Sequence, residues 1–465
     1  MAAVLQVRDD PVALRLADKI CAFGDGHITP RATELATAAI TDVIGVTLAG
    51  APEHCTQALV QILCPGGDAG SVPVIGVGRR ASALDAALIN GTASHALDYD
   101  DFAYEFGGHH SVPVAIPMFS LAAERGLSGR DVVRGYLVGV ETEVRLGRAV
   151  NFHHYDKGWH PTSTLGVFGA AAAAARSIGL DRERTAHALG IAASLASGIK
   201  ANFGTMTKPL HVGHCARSGL MAALLAERGF TGSPGAFEHR QGFLEVYNGA
   251  GTYAIERMFE NWARPLEIED PAVGIKQFPC CGSTHPAITM ALRLAREEGL
   301  QADAVDEITI LVSERRLGHI NNALPQSTLQ AKFSVQYCVA RALVDGTVRL
   351  EHFEGNAYTD PDVRRLLAKT RVGVLPEEGG DESKHFGAEV IVTLRGGRRA
   401  SRRIDDMVGR GGDNAMSADE VWEKFSDCAK KTLPEERIRP LFDLLQKLPE
   451  LATLEDVFKL LDGAR

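Results

Sequence analysis

Apolar residues recur at intervals of three and four through most of the first 265 residues or so. The stretches "RATELATAAITDVIGVTLAG", "RASALDAALINGTASHAL", "GRDVVRGYLVGVETEVRLGRAV", "DRERTAHALGIAASLASGI" and "GHCARSGLMAALLAERGF" all keep that period and predict amphipathic helices. Gly126, Gly179 and Gly229 follow the last turns, as helix stops do. Many interior positions are Ala or Gly, which predicts helices packed closely in a bundle.

The pattern changes near "NWARPLEIEDPAVGIKQFPCCG" (261–282), where Pro and Gly accumulate. Beyond it, "VDEITILVS" (305–313) and "GAEVIVTLRGGRRASRRI" (387–404) alternate with the period of strands, the second reading as a hairpin turned at Gly396-Gly397. Helix-like "AKFSVQYCVARALVDG" and "DPDVRRLLAKT" lie between them. "SADEVWEKFSDCAKKTL" and "LEDVFKLLDGA" then return to amphipathic helix. The expected organisation is therefore helical over 1–267, α+β over 268–405 and helical again over 406–465.

Composition narrows the function classes. The chain has 465 residues, 45% hydrophobic and 23% charged, which suits a soluble globular protein of more than one domain. Its net charge is 49 − 58 = −9, which argues against nucleic acid or an anionic membrane as partner. A positive site, if present, is local. No segment reads as close to the roughly 20 apolar residues of a membrane span. "LGVFGAAAAAA" (165–175) is the longest candidate, and it suits tight helix packing better. The opening "MAAVLQVRDDPVALRLADKI" lacks a basic and then an apolar secretory region. Eight scattered cysteines with no C-x-x-C pair predict reduced thiols, a cytoplasmic location and no zinc ribbon or iron–sulfur cluster.

Four segments concentrate chemistry. "HALDYDDFAYEFGGHHSVP" (95–113) sets Asp98, Asp100 and Asp101 ahead of His109 and His110, and a carboxylate beside an imidazole suits a general base. In "HHYDKGWHPTSTLGVFGA" (153–170), His160 precedes Pro161, and Thr162 or Ser163 is placed to cap the following helix. "NFGTMTKPLHVGHCARSG" (202–219) puts Lys208 at a helix mouth, a carboxylate-binding arrangement, with His211, His214 and Arg217 at spacings of three. "GIKQFPCCGSTHPAI" (274–288) brings Lys276, Cys281 and His285 close in sequence. Cys280 reads as a small buried thiol, and Cys281 stays open between that and a nucleophile. "VIGVGRRA" (74–81) imitates a dinucleotide-binding turn, but the alternation of strand and helix such a fold needs is missing, so it reads as a turn before a helix. The histidines lack a zinc-binding frame, and Lys208 would oppose a cation, so no metal is expected.

In this order, "ALINGTASHALDYDD", "GWHPTSTLGVFGAAAAAA", "NFGTMTKPLHVGHCARSGL", "FPCCGSTHPAI", "LQAKFSVQYCVARALVDG" and "GGDNAMSADEVWEKF" resemble the MmgE/PrpD family, over almost the whole chain. That family includes 2-methylcitrate dehydratase, cis-aconitate decarboxylase and iminodisuccinate epimerase. The resemblance implies a mainly α protein: one large all-helical domain, discontinuous in sequence, and a smaller α+β domain, with the site in the cleft between them. It also implies a homodimer that uses no metal or organic cofactor. Carried over by motif, Asp98, His110, His160 and Lys208 would be catalytic. Lys208, Lys276, Cys281, Thr162 and His211 would bind the substrate.

The implied reaction is proton abstraction α to a carboxylate of a small di- or tricarboxylate. Dehydration of a 2-methylcitrate-like acid is the first reading and epimerisation of an iminodisuccinate-like compound the second. Cis-aconitate-type decarboxylation and a non-catalytic anion-binding role are further alternatives. The decarboxylase pattern carries His where this chain has Cys281 and Thr where it has Phe102. The family's His-Pro is His110-Ser111 here.

Overall fold

The computed structural model describes residues 11–376, 387–409 and 414–462. The first ten residues of the opening segment and Gly411 to Asp413 of "GGDNAMSADEVWEKF" lie outside them. The chain is mainly α. It divides into two compact units, one formed by Met1–Ile275 with Val421–Arg465 and the other by Lys276–Glu420. Pattern alone set the borders of the smaller unit at 268 and 405.

The larger unit is built from helices that include Pro30–Gly50, Ala83–His95, Ser111–Arg125, Gly129–Val150, Gly166–Ser177, Arg182–Leu195 and Thr207–Glu227. Their starts follow local chemistry. Thr29, Ser82, Ser128 and Asp181 each accept a backbone N–H of the first turn, which satisfies donors the helix cannot pair itself. Gly126, Gly179 and Gly229 stop helices at φ of 70°, 73° and 83°, a region costly for residues with a Cβ.

Two glycines decide how close two of these helices come. A Cβ on Gly91 would lie 2.8 Å from Gly213 Cα, and one on Gly213 would lie 2.2 Å from Leu88 O. Ala83–His95 and Thr207–Glu227 therefore meet backbone to backbone.

Two sequence expectations change here. Pro30–Gly50 is long and apolar enough, by length and composition, to cross a membrane, and 78% of its most apolar window is buried inside the structure. Its Thr and Asp residues masked this in the sequence. Yet Thr37, Thr41 and Thr47 donate back to the carbonyls of Thr33, Thr37 and Val43 at 2.8, 2.7 and 2.6 Å, so their polarity is spent within the helix. Residues 74–81 do turn ahead of a helix, but strand, which the pattern did not show there, is present as a short antiparallel hairpin of Val72–Val74 and Arg79–Ala81.

The smaller unit carries a four-stranded sheet in the order Thr370–Val374, Val305–Val312, Ala388–Leu394, Arg399–Ile404, with the first pair parallel and the others antiparallel. The expected hairpin turns at Gly396 and Gly397, both at positive φ. Thr370 had read as the end of a helix-like stretch, but that helix stops at Leu367 and Thr370 opens strand Thr370–Val374. Ile308, Ile310, Val390 and Val392 share a core with Ala287, Ile288 and Ala291 of helix His285–Glu298, and with Tyr337 and Val339 of helix Val335–Asp345.

If the glycine contact sets helix spacing, Gly213→Ala lowers the urea midpoint by an amount equivalent to about 1–3 kcal/mol. Gly318→Ala, inside helix Glu314–Ile320 with nothing near its Cβ position, leaves stability equal or raises it by up to about 1 kcal/mol. Equal midpoints for Gly213→Ala and wild type would remove the contact as a constraint.

Candidate functional site

Within the larger unit, the end of Ala83–His95 and the start of Thr207–Glu227 bring opposite charges together. The chain leaves the first helix and turns through Asp98 at φ 55°, a left-handed conformation that Asp tolerates better than most residues. Lys208, second in its helix, donates to Asp98 Oδ1 at 2.6 Å, with the two side chains 18% and 24% exposed. The Lys208 ammonium is also 5.2 Å from the centre of the Phe203 ring. At this exposure the pair fixes geometry more than it adds stability.

A set of imidazoles surrounds this pair. His160 stands edge-on to Phe203, ring centres 4.9 Å apart, and its Nδ1 is 3.3 Å from Nδ1 of His211. Burial holds His160 well below the ordinary histidine range, and nearby His95 and Lys208 push the same way. His211 is lowered too, mainly by burial. Both rings are therefore neutral at neutral pH, and one lends an N–H to the other. His95 also neighbours His160, ring centres 5.8 Å apart. Burial takes His95 down to about 4.

The run of three acids separates into three environments. Asp98 pairs with Lys208. Both Asp100 oxygens lie 2.9 Å from His95 Nδ1, and Oδ2 is 3.2 Å from His109 Nδ1. Burial alone would raise Asp100, but His109 and His95 outweigh it and hold the carboxyl well below its usual value. Asp101 accepts from the Ser111 hydroxyl and, at 3.3 Å, from the Ser111 N–H. Its burial wins, and it rises to about 7.

The two adjacent histidines also part. His109 Nε2 is 3.4 Å from Asp98 Oδ1, and its ring packs against His95 with centres 4.5 Å apart. His110, expected as a catalytic residue, is fully buried at the start of helix Ser111–Arg125, with Nε2 3.1 Å from Ser111 Oγ and 3.4 Å from Asp101 Oδ2. Burial lowers it to about 3. It is His109 that faces Asp98.

Of the remaining expected residues, Thr162 is buried and its hydroxyl accepts the His109 N–H at 3.0 Å, while Ser163 donates to His211 O at 2.9 Å. Neither caps a helix, which corrects that expectation. Their hydroxyls instead tie the His160 segment to the His109 loop and to helix Thr207–Glu227. His214 lies 3.4 Å from Ser218, and Arg217 is 3.6 Å from Asp85 on the more exposed side of the helix. His154 is used structurally, between Asn248 at 2.8 Å and Thr164 at 2.7 Å. Lys276 and Cys281 belong to the smaller unit, where the Cys281 N–H donates to Lys332 O at 2.9 Å and Cys280 is buried in the core.

Sequence reasoning gave no role to His95 and left His109 and Asp100 as members of a cluster. The available signal was spacing: His95 and Asp100 stand five apart across a helix end, close enough for the chain to fold one onto the other. His95, Asp98, Asp100 and His109 each offer a donor atom within 4.8 Å of the others, so among the described residues they could hold a metal ion. The Lys208 ammonium already supplies positive charge at Asp98.

Comparison with known proteins places these residues in context. The model of the MmgE/PrpD N-terminal domain matches residues 14–256, and that of the MmgE/PrpD C-terminal domain matches residues 278–447. The chain is 28% identical over 393 residues to mouse cis-aconitate decarboxylase, covering 81% of this chain and 78% of that one. It is 29% identical over 389 residues to the human cis-aconitate decarboxylase, covering 81% and 79%. It is also 29% identical over 419 residues to the cis-aconitate decarboxylase-like protein oryM of Aspergillus oryzae, covering 85% of each.

The raised Asp101 gives a pH test of the site's electrostatics. Folded, it keeps its proton up to about pH 7, whereas an unfolded Asp releases it near pH 4. Its stabilising contribution is therefore present below about pH 4 and lost as pH rises through 7. Asp101→Asn stays neutral throughout. Its unfolding free energy relative to wild type should grow in the variant's favour by up to about 4 kcal/mol between pH 4 and 8. A difference that stays flat across that range means Asp101 is ionised in the folded chain.

Proposed function

The chain belongs to the MmgE/PrpD family, and from that premise we propose that it is an acid–base enzyme acting on a small di- or tricarboxylate. The observation that carries this reading is a neutral, buried His160 set in the same cluster as Lys208 and Asp98. A C–H beside a carboxylate is a weak acid, and its removal builds negative charge on the carboxylate oxygens. A preorganised cation there favours the transition state over the ground state. Lys208 supplies the cation and His160 the lone pair. A substrate carboxylate displaces Asp98 as the partner of Lys208, which leaves Asp98 and His109 adjacent to the reacting carbons.

The reaction we favour is elimination of water from a 2-methylcitrate-like hydroxy acid. His160 takes the proton α to the carboxylate, the C–H pair becomes the new C=C bond, and the β C–O bond breaks. The hydroxyl leaves as water with a proton from His109. The same arrangement supports epimerisation of an iminodisuccinate-like compound, because His160 and His109 are separate proton carriers: one removes the proton and the other returns it to the opposite face. The relatives' name, cis-aconitate decarboxylase, supports a tricarboxylate as the substrate class. Phe102 and Cys281, in place of the hydroxyl and imidazole of the decarboxylase pattern, weigh toward elimination or epimerisation. As written, the chemistry draws on side chains alone.

The test is incubation in deuterated water with 2-methylcitrate, citrate, cis-aconitate and an iminodisuccinate analogue, followed by NMR. We expect deuterium at a carbon α to a carboxylate together with alkene. Deuterium with inverted configuration identifies the epimerase. Carbon dioxide without exchange, or no change in any compound, removes the proposal. His160→Gln and Lys208→Met should each lower kcat/KM by about 100-fold or more.

The low His160 also fixes the sign of the pH dependence. Its neutral form is the active one and persists beneath the ordinary histidine value of about 6.5. Activity should thus hold on acidification through pH 6.5, with the acid limb of kcat/KM lying below it. A limb at or above 6.5 excludes His160 as the base.

A further inference from the structure

Asp100 and Asp101 are consecutive and both fully buried, yet one stays ionised and the other rises to about 7. The difference lies in their partners. Asp101 is met by the Ser111 hydroxyl and N–H, while Asp100 is met by two imidazoles. An ionised carboxylate accepts only, so the His95 ring nitrogen bonded to it must bring the proton. His95 Nδ1 is hydrogen-bonded to both oxygens at 2.9 Å, and His109 Nδ1 approaches Oδ2 at 3.2 Å as an ion-pair contact. With Nδ1–H committed to Asp100, His95 is left with Nε2, a fully buried atom that has no protein partner. Leaving such an atom unpaired works against stability. A purely structural histidine would cap it, as His154 does with Thr164.

We propose that Asp100 and His95 form a positioning pair that fixes His109 in the tautomer and orientation needed for proton transfer. The proposal rests on the acid–base reading above and adds two residues to it. Asp100 takes the His109 Nδ1–H, which leaves Nε2, on the side of Asp98 and Lys208, as the nitrogen that exchanges a proton with the reacting compound. His95 acts one step further back. Without its N–H, a buried carboxyl loses a hydrogen bond that keeps it ionised, takes up a proton as Asp101 does, and offers His109 an O–H in place of an acceptor. The ring then loses its Nδ1–H, and Nε2 can no longer release a proton without leaving the ring anionic. Neither Asp100 nor His95 needs to touch the substrate. Both work through His109, whose backbone is held separately by Thr162.

The experiment uses the full chain with 15N-labelled histidine imidazoles, His109 being assigned from the peaks lost in His109→Gln. The wild type should show His109 protonated at Nδ1, and Asp100→Asn should abolish that signature. On whichever compound the wild type exchanges, Asp100→Asn should lower kcat on the order of 10²- to 10⁴-fold with KM within about threefold. His95→Ala should move both readouts the same way. His95→Asn, whose side-chain N–H can reach the place of Nδ1–H, should regain most of the loss. That recovery distinguishes positioning from packing, because Asn fills the ring's volume poorly.

If Asp100→Asn does not fold, the two His95 variants carry the same readouts. The pair is refuted if Asp100→Asn leaves the His109 signature or kcat unchanged, or if its loss falls in KM. A wild type that exchanges nothing refutes the reaction instead, since the imidazole spectrum judges the pair without turnover.

Discussion

The close approach of two helices at Gly91 and Gly213 is the constraint from which the site follows. His95 ends one of those helices, four residues beyond Gly91, and Asp98 follows in the turn that leaves it. Lys208 and His211 lie in the first turns of the other, just ahead of Gly213. The distance between helices is set by the side chains at their crossing, and here there are none. Any Cβ at this point would part the backbones, and the 2.6 Å bond from Lys208 to Asp98 would open with them. Small residues in the core are thus a condition for the chemistry at the helix ends.

That geometry lets the protein place charges that its burial would otherwise forbid. A buried imidazole gives up its proton and a buried carboxylate takes one, and His110 at about 3 and Asp101 at about 7 do so. Asp100 departs from the rule because His109 stands 3.2 Å away and His95 is hydrogen-bonded to it. Neighbouring groups whose proton affinities are pushed apart are what acid–base chemistry at neutral pH needs, since one must hold a proton while another lacks it. Lys208 and Asp98, partly exposed, keep enough hydration to exchange partners. A fully buried ion pair would not, because separating it would strand both charges.

The large elements were legible because they depend on local pattern. Apolar period and glycine stops gave the helices, and alternation gave strand Val305–Val312 and the hairpin at Gly396-Gly397. Strand Thr370–Val374 was missed because its parallel pairing with the distant Val305–Val312 decides its conformation, and its first residue ends a helical run. At the site, residue type was readable but orientation was not. His109 and His110 are adjacent, and only the helix that begins at Ser111 determines which ring turns inward. Thr162 and Ser163 carry good capping side chains, yet tertiary partners claim both hydroxyls. His95 sits on a helix that is buried all round and reads as core.

The same ambiguity explains why unpaired polar atoms are the more useful guide in the folded chain. Most buried polar groups find partners, so each exception asks for a reason. Among the described residues the exceptions include Glu143, whose carboxyl is surrounded by Gly166 and Gly169 and pushed well above its usual value by burial. A neutral acid in a tight apolar setting is reason enough there. His95 differs, because its other nitrogen is bound to an ionised carboxylate and its neighbours are His109, His160 and Lys208. Local consistency is what folding selects for, and a residue that departs from it beside a charge cluster is where function has competed with stability. Glu143 breaks the rule in the core and His95 breaks it at the site, so only the second calls for a chemical explanation.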